Sequence, residues 1–363
     1  MSQGYERTYT GQAVPFSAVE PDDDFLHPVE AGAPFTRIET NLFGFNIPEI
    51  GLNANIYLMW HPLFGCMSAH FFLAKGDRIF RHHLEADYFA EVLYLPGVAD
   101  NGDCRIALGD ATLTLRIIEP LRQFEIGFAD EEAGISLDLV STAALPPVGR
   151  PGGGHFTQLM HNEGSLTLNG TTSRIDSHYM RDRSWGYQRP EQPERAPPYR
   201  WITAWLDDGT AFVIAWLDTG MMAEQGFGDD WAARAGGGDA TGRNKWEAGG
   251  PTPSLNLRSG WIAWKGHAPR PVVSVTIAGE RDASDPLLTR RLALDLTDDR
   301  GRSARFVATT RQMLPKMYWQ TMITYMHSVD IQCGEACGHG DMMDTFSRFH
   351  LRALVPTHQK SDR

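Results

Sequence analysis

Hydrophobic and polar residues alternate along much of this chain, and that period of two constrains its fold more than any other feature. Residues 111–120, 124–130, 134–143 and 164–175 all alternate in this way, as expected of strands that bury one face of a sheet. Turn signals recur about every 8 to 15 residues, a spacing typical of antiparallel sandwiches and barrels. The pair Asp208-Gly209 between two apolar runs predicts a further hairpin. We therefore expect an all-β protein with antiparallel sheets and little helix.

Three further segments carry weaker structural signals. Residues 53–60 and 67–74 flank a turn that contains proline and glycine, so we expect a hairpin there. Residues 82–96 are the best candidate for a helix, because part of their apolar pattern fits a helical face and Pro96 would end it. Residues 233–253 are rich in glycine and cannot build a core. We expect a long mobile loop there, either a lid over a site or a plain insertion.

Length and composition limit the classes of protein to consider. The 363 residues suggest two domains or one large β domain, and 42% of them are hydrophobic, enough for a sizeable core. No run of about 18 apolar residues occurs, so we expect no membrane-spanning helix. The net charge of −12 disfavours nucleic acid as a partner, since phosphate backbones repel an acidic surface. The sequence shows no basic segment followed by an apolar one, as a signal peptide would have, and it contains only four cysteines. We therefore expect a cytoplasmic protein with reduced thiols.

A proline-rich stretch marks the expected domain boundary. Residues 188–198 contain four prolines, and a set of predicted strands lies on either side of them. Residues 146–156 are also rich in proline and glycine and are expected to form a loop. We therefore divide the chain into an N-terminal β domain, residues 1–190, and a C-terminal β domain, residues 191–363.

The segment just before that boundary carries the strongest functional signal. Residues 173–190 crowd imidazole, guanidinium, carboxylate and aromatic groups into a short run. Such groups suit acid/base chemistry beside a bound ligand. In a strand, Asp182 would face away from Arg181 and Arg183 and would share a face with His178. The polar and aromatic members of this signature segment are His178, Arg181, Asp182, Arg183, Ser184, Trp185 and Tyr187.

The signature segment resembles the (R/G)-D-x-S-W-G-x-R motif of the AttH-like, carotenoid 1,2-hydratase-like superfamily. Residues 117–128 and 155–182 resemble other stretches of that superfamily. The resemblance implies two lipocalin-like antiparallel β-barrels or half-barrels packed together, with ligand in or between them. Members resemble hydratases that add water to an isoprenoid double bond, and fungal relatives resemble pericyclases such as Diels-Alderases. The matching residues are Arg181, Asp182, Ser184, Trp185, Gly186 and Arg189, with Gln188 intervening before the arginine.

The chain departs from the family pattern near its C-terminal end. Where the family often has G-x-G-x-x-E, residues 337–349 contain Gly338, Gly340 and then Asp344, one place later than that pattern expects. A role of this carboxylate as a second acid or base in relatives is therefore not carried over to Asp344.

These features predict a cofactor-independent enzyme that acts on a hydrophobic isoprenoid, steroid or polyketide-like substrate by hydration or dehydration, isomerisation or cyclisation. Asp182 would donate or accept the proton, with His178 assisting, in a pocket at the domain junction. A structural interpretation competes with this one, in which Asp182 lies in a turn, the arginines form ion pairs and Trp185 plugs a barrel end. The residues expected to bind substrate are Arg181, Arg183, Trp185, Tyr187, His161 and Tyr318.

The competing function is a non-catalytic carrier for a hydrophobic small molecule. Residues 313–326 are rich in methionine and aromatic side chains, which suit an apolar ligand cavity and an ordinary barrel core equally well. The expected partner is therefore a hydrophobic small molecule, with no nucleic acid and no membrane span, while a homodimer stays open. The sequence contains no nucleotide-binding, serine-hydrolase or zincin motif, so we expect no cofactor.

Two groups of residues have spacings that could hold a metal. Structural zinc normally takes four well-spaced ligands, so a buried strand cysteine is the simpler interpretation of the first group. Exposed helix surface is the simpler interpretation of the second, and we expect no metal. The first group is Cys333, Cys337 and His339, and the second is His82, His83, Glu85 and Asp87.

Overall fold

The computed structural model is an all-β protein made of two lipocalin-like units, which confirms the fold class predicted above. One compact unit comprises Pro15–Arg189, and the other comprises Met1–Val14 together with Pro190–Arg363. Each unit is built on one barrel-like antiparallel sheet. The residues that the structure describes are 4–33, 37–77, 84–94, 99–100, 103–188, 198–218, 257–283, 287–319 and 322–347.

The unit of residues 15–189 contains a 12-stranded sheet, here called the first barrel. Strand β1 (Gly4–Thr10) precedes it in the chain and belongs to the other unit. The strands of the first barrel are β2 (Arg37–Ile47), β3 (Leu52–His61), β4 (Cys66–Lys75), β5 (Ala86–Tyr94), β6 (Ala99–Asp100), β7 (Asp103–Leu108), β8 (Ala111–Glu119), β9 (Gln123–Asp130), β10 (Ile135–Ala143), β11 (Val148–Gly149), β12 (His155–Leu168) and β13 (Thr171–Gln188). Their order is β5-β4-β3-β2-β13-β12-β10-β9-β8-β7-β6, and β11 pairs with β12.

The alternating pattern of the sequence builds the core of the first barrel. In β10, buried residues alternate with more exposed ones from Ile135 onward, because successive side chains of a strand point to opposite faces. The buried face joins a hydrophobic core that includes Phe43 and Phe124. The 3-10 helix Pro21–Asp24 precedes β2, and the proline at its start suits the first helical position. Its last residue, Asp24, is buried.

The other unit contains a 9-stranded sheet, here called the second barrel. Its remaining strands are β14 (Tyr199–Leu206), β15 (Ala211–Leu217), β16 (Leu257–Ala263), β17 (Arg270–Arg281), β18 (Thr289–Asp298), β19 (Ser303–Trp319), β20 (Met322–Cys333) and β21 (Ala336–Ser347). Their order is β1-β17-β16-β15-β14-β21-β20-β19-β18, and β17 also pairs with β18. That last pairing closes the eight strands from β14 to β21 into a ring.

The N-terminal strand does not follow the expected division of the chain at residue 190. We expected residues 1–190 to form one domain, but Gly4–Thr10 pairs antiparallel with residues 274–280 of β17. The physical reason is an open edge. Among the described residues, strand β16 pairs with β17 at Arg270 and Pro271, and residues 274–280 of that edge of β17 pair with β1. Unpaired strand edges favour the addition of a strand.

The helix predicted for residues 82–96 is wrong. Residues 86–94 instead form strand β5, which pairs with β4. Aromatic side chains favour strands, and the ring of Tyr88 packs 4.8 Å from that of Phe128 in the barrel core. The Tyr88 hydroxyl also donates a hydrogen bond to Asp130 at 2.7 Å. Pairing and burial therefore overrode a partial helical pattern.

Both hairpins predicted from the sequence are confirmed. Strands β3 and β4 pair from Leu52 to His61, and β14 pairs with β15 around the turn at Asp208-Gly209. Gly209 has a φ of 85°, which suits glycine. Across the described part of the chain, no helix is long and apolar enough to cross a bilayer. The expected loop 233–253 lies outside the described residues.

Candidate functional site

Strand β13 carries the signature segment, and its two faces have different surroundings. Arg181 and Arg183 are 0% and 1% exposed and point toward the interior of the first barrel, as does Ile175 of the core. Asp182 lies on the other face, where its side chain is 17% exposed. The alternation expected of a strand therefore holds through this segment, and it separates the carboxylate from its neighbouring guanidiniums.

Arg181 forms a buried ion pair inside the first barrel. Its Nη2 donates to Oδ1 of Asp24 at 2.5 Å, and both side chains are 0% exposed. The guanidinium carbon also lies between 4.3 and 5.1 Å from the ring centres of Phe43, Phe124 and Phe156. Burial lowers the pKa of Arg181, and the charge of Asp24 opposes that shift. This pair fastens the 3-10 helix Pro21–Asp24 to strand β13.

Arg183 forms a second buried ion pair beside the first. Its Nη2 donates to Oε2 of Glu39 at 2.6 Å and to the carbonyl of Phe25 at 2.7 Å. His27 Nδ1 lies 3.2 Å from the same Glu39 oxygen, and its ring stacks on Trp185 at 4.8 Å between centroids. Burial by itself raises the pKa of Glu39, but the hydrogen bond from His27 and the charge of Arg183 outweigh it. The pKa of Glu39 therefore lies below its ordinary value.

These contacts give three of the predicted substrate-binding residues an internal structural role. Arg181 and Arg183 bind carboxylates of their own unit, and Trp185 packs against His27 and Phe156 at 6.1 Å. The arginines carry little exposed surface with which to meet a ligand. These contacts are of the kind that the structural interpretation of the segment expects, with the arginines in ion pairs.

Asp182 lies near a histidine that the sequence did not single out. Its Oδ2 is 3.6 Å from Nε2 of His155, and the two side chains are 17% and 20% exposed. His155 is on β12, and the cross-strand register places Thr157 opposite Asp182. On the other side of β13, buried Leu42 is opposite Asp182. A carboxylate and an imidazole thus share a half-buried position beside apolar surface.

His178 and His161 form a separate pair farther along the same two strands. They are directly opposite in the register of β12 and β13, with ring centroids 4.9 Å apart. His161 Nε2 lies 2.9 Å from Asp176. Burial lowers the pKa of His178, and the nearby His161 lowers it further. Since His178 and Asp182 are separated along β13 by about 13 Å, at about 3.3 Å per residue, the structure does not bring them together.

The side chains of the last two predicted binding residues lie outside what the structure describes. Tyr187 belongs to β13 and pairs with Ile38 after a bulge, and Tyr318 belongs to β19. Of the suggested metal group on residues 82–87, His82 and His83 also lie outside the described residues. Within the described part of the chain, no three His, Cys, Asp or Glu side chains are arranged to hold a metal ion.

A buried charged network in the second barrel was missed by the sequence reasoning. Nε of Arg200 lies 3.3 Å from both Asp218 and Asp344, and its Nη1 donates to the hydroxyl of Tyr5 at 2.7 Å. Asp218 also accepts from Arg7 at 2.6 Å. The signal available was the spacing of two residues on β14, which puts Arg200 on the same face as Ile202 and Ala204 of the core. An arginine on an inward face requires a buried carboxylate partner.

The charges of this network hold Arg200 in its ionised form. Burial by itself lowers the pKa of Arg200, but Asp344 and the other acidic groups outweigh it, and the pKa lies above its ordinary value. Burial raises the pKa of Tyr9, whose hydroxyl donates to Asp218 at 3.2 Å. The carboxylate of Asp344, which departs from the family pattern in position, is thus part of the barrel interior.

Three solved structures have the same fold as this chain. A putative AttH from Nitrosomonas europaea has a TM-score of 0.58 and 16% identity, with 92% of this chain and 99% of that chain covered. Kievitone hydratase from Nectria haematococca has a TM-score of 0.54 and 9% identity, with 95% and 97% covered. CghA solved with Sch210972 has a TM-score of 0.53 and 12% identity, with 94% and 98% covered. The AttH-like resemblance of the signature is therefore confirmed as a shared fold.

The family of the chain follows from its sequence. A search of the curated proteins finds no match. Residues 20–343, which include the signature segment and Asp344, match the model of a domain of unknown function, DUF7064. The chain belongs to the DUF7064 family, and its fold is that of the AttH-like proteins.

Proposed function

We propose that this chain is a cofactor-independent enzyme that acts on a hydrophobic isoprenoid, steroid or polyketide-like substrate by acid/base chemistry. The reaction is hydration or dehydration, isomerisation or cyclisation. One of the proteins that share the fold is named a hydratase, which supports this reaction class. Because a fold hosts many functions, the proposal depends on a particular pair of side chains.

The observation that carries the proposal is the pair formed by Asp182 and His155. The 3.6 Å between their nearest atoms is short enough for a proton to pass between them through a small adjustment or a shared water. Both side chains are partly exposed, in contrast to Arg181 and Arg183. Met180 and Leu42, on the same face of the sheet, are buried and apolar.

The chemistry assigned to this pair is a proton cycle. In hydration, the protonated carboxyl of Asp182 gives its proton to an alkene carbon, and a carbocation forms at the neighbouring carbon. Water adds its oxygen to that cation and loses a proton to His155, which returns it to Asp182. In isomerisation, Asp182 protonates one alkene carbon, His155 removes a proton from the carbon on the other side of the cation and returns it to Asp182, and no water adds. A water-poor apolar face favours both reactions because it excludes competing solvent.

The substitution Asp182→Asn tests the proposal. The purified protein is incubated in deuterated water with a panel of isoprenoid, steroid and polyketide alkenes, and the products are analysed by mass spectrometry for added water or carbon-bound deuterium. We expect conversion by the wild type and a loss of at least about 100-fold in Asp182→Asn, the usual contribution of a general acid or base. The melting temperature should change little, since Asp182 is partly exposed and its substitution by asparagine keeps the shape of the side chain.

The matched control is Asp176→Asn, which removes a carboxylate from the same face of β13. It should keep full activity. Equal activity of Asp182→Asn and the wild type would refute the role of Asp182. A ligand that binds to the wild type and is recovered unaltered from deuterated water would instead support the competing function, a carrier.

A further inference from the structure

His327 lies in the interior of the second barrel. It is on β20, directly opposite Met313 of β19 and Met342 of β21. All three residues are at most 2% exposed. Residues opposite each other in an antiparallel pair share a face, and Met342 belongs to the hydrophobic core of this unit. The imidazole is therefore surrounded by apolar side chains on the inner face of the sheet.

The hydrogen bond made by Nδ1 of His327 determines whether Nε2 is a donor or an acceptor. Nδ1 of His327 lies 3.3 Å from the carbonyl oxygen of Met342, and a carbonyl can only accept, so Nδ1 carries a proton. Burial lowers the pKa of His327, although the charge of Asp344 opposes that shift, and the ring is neutral. Nε2 then presents a lone pair. In the described part of the chain, Nε2 is a fully buried nitrogen without a hydrogen-bond partner.

A buried carboxylate on the same inner face already has partners. Asp344 accepts from Thr289 through Oδ2 at 3.1 Å, and its Oδ1 lies 3.3 Å from Nε of Arg200. Asp344 is opposite Tyr325, two residues from His327 along β20. Diagonal neighbours of this kind have Cα atoms about 7–8 Å apart. A buried acceptor without a donor is unfavourable, so Nε2 of His327 favours an incoming donor.

The ion pairs nearest to His327 are already formed. Nε of Arg200 lies 3.3 Å from Asp344 and from Asp218, and Arg7 pairs with Asp218. Arg281 packs over the ring of Tyr5 at 4.9 Å, and its Nε and Nη2 are without a hydrogen-bond partner among the described residues. A neutral group that donates a hydrogen bond to Nε2 of His327 needs no counter-charge in this interior.

We propose that the interior of the second barrel is a binding site for the hydroxyl group of a hydrophobic alcohol or phenol, which donates its O–H to Nε2 of His327. The apolar part of the ligand contacts Met313 and Met342, whose flexible side chains adapt to irregular shapes. A closed barrel of about eight strands is wide enough to hold one small ligand, and β14 to β21 form such a ring. This site goes beyond the reaction proposed at Asp182 and does not depend on it.

Calorimetric titration with 2-naphthol tests the site, with naphthalene as the matched probe that lacks the donor. We expect the wild type to bind 2-naphthol at one site, and His327→Leu to bind it at least tenfold more weakly. Naphthalene should bind both proteins equally, because leucine keeps the apolar volume and only the acceptor is lost. Two control variants should bind 2-naphthol as the wild type does. These are His339→Leu, which removes a histidine paired with Asp330 on the hairpin of β20 and β21, and Asp182→Asn.

A measurement on the unmodified protein guards against a folding defect in His327→Leu. In wild-type protein labelled with ¹⁵N-histidine, the resonance of the unprotonated Nε2 of His327 should move upfield when 2-naphthol is added and stay in place with naphthalene. The proposal is overturned if the wild type does not bind 2-naphthol, if His327→Leu binds it as tightly, or if the resonance does not respond. Loss of binding in Asp182→Asn would place the ligand at the other site and would also overturn it.

Discussion

The substitution Arg181→Met tests whether the most buried part of the signature segment is structural. Arg181 and Asp24 are both fully buried, and the methionine would leave the carboxylate of Asp24 without its counter-charge. The apolar contacts with the three phenylalanine rings would be retained in part, since methionine also packs well on aromatic faces. The perturbation is therefore mainly electrostatic.

The magnitude follows from the burial of the pair. Removing one partner of a buried ion pair costs about 3–5 kcal/mol, because an uncompensated charge stays in the interior. At about 2–4 °C per kcal/mol for a domain of this size, the melting temperature of the first barrel should fall by roughly 6–20 °C. Asp24 also accepts the backbone N–H of Leu121, and this hydrogen bond does not replace the lost charge.

Urea unfolding followed by circular dichroism measures the loss. The double variant Asp24→Leu with Arg181→Met should recover about 2 kcal/mol relative to Arg181→Met, since buried pairs replaced by apolar residues are often neutral in stability. Arg174→Met is the matched control, because Arg174 is on the same strand and 74% exposed. Its stability should equal that of the wild type.

Two results would refute this reasoning. A loss of less than about 1 kcal/mol in Arg181→Met would mean that the interior solvates the charge of Asp24 without the arginine. A double variant no more stable than Arg181→Met would mean that the arginine acts through packing alone. The first result would remove the ion pair as a reason to assign Arg181 a structural role, and the second would replace charge by packing as the basis of that role.

Two further predictions concern acid stability and thiol reactivity. The pKa of Glu39 is lowered in the folded protein from 4.5, so its ionisation stabilises the fold above about pH 4.5 and that contribution is lost as the pH falls through the folded pKa. Glu39→Gln should therefore be less stable at pH 7 and show a flatter pH dependence of the urea midpoint below pH 5; an unchanged profile would contradict the ion pair with Arg183. Burial raises the pKa of Cys104 to about 12, while Cys337 is exposed. DTNB at pH 8 should modify Cys337 within minutes and Cys104 only on unfolding, and equal rates would contradict the burial of Cys104.

The parts of the fold that sequence reasoning predicted are those set by local pattern. The hairpin at Asp208-Gly209 depends on a turn whose glycine has a positive φ, and β10 depends on alternation within its own residues. The helix prediction for 82–96 was wrong because residues 86–94 gain backbone hydrogen bonds with β4 and bury Tyr88 against Phe128 when they form a strand. Local propensity is a weak prior when such long-range pairing is available.

The candidate site was predicted only in part, for a related reason. Alternation separated Asp182 from its two arginines, but the same rule grouped Asp182 with His178, which is on the same face and too far along the strand. The partner that the structure supplies, His155, comes from the neighbouring strand β12. Which residue of β12 lies near Asp182 depends on the register of the two strands, and a single sequence does not encode that register visibly.

Residue patterns along the chain predicted the all-β class, the hairpins and the two faces of the signature strand, because each depends on residues close together in sequence. The partners of the buried charges depend instead on the folded arrangement of the strands. Asp24 and Arg181 are 157 residues apart, and β1 joins β17 across most of the chain. Such contacts form when strands close into a barrel, and burial then makes their partners obligatory. Arg181 and Arg183 of the signature segment thus became part of the interior of the first barrel, while Asp182 lies on the other face of the strand beside His155.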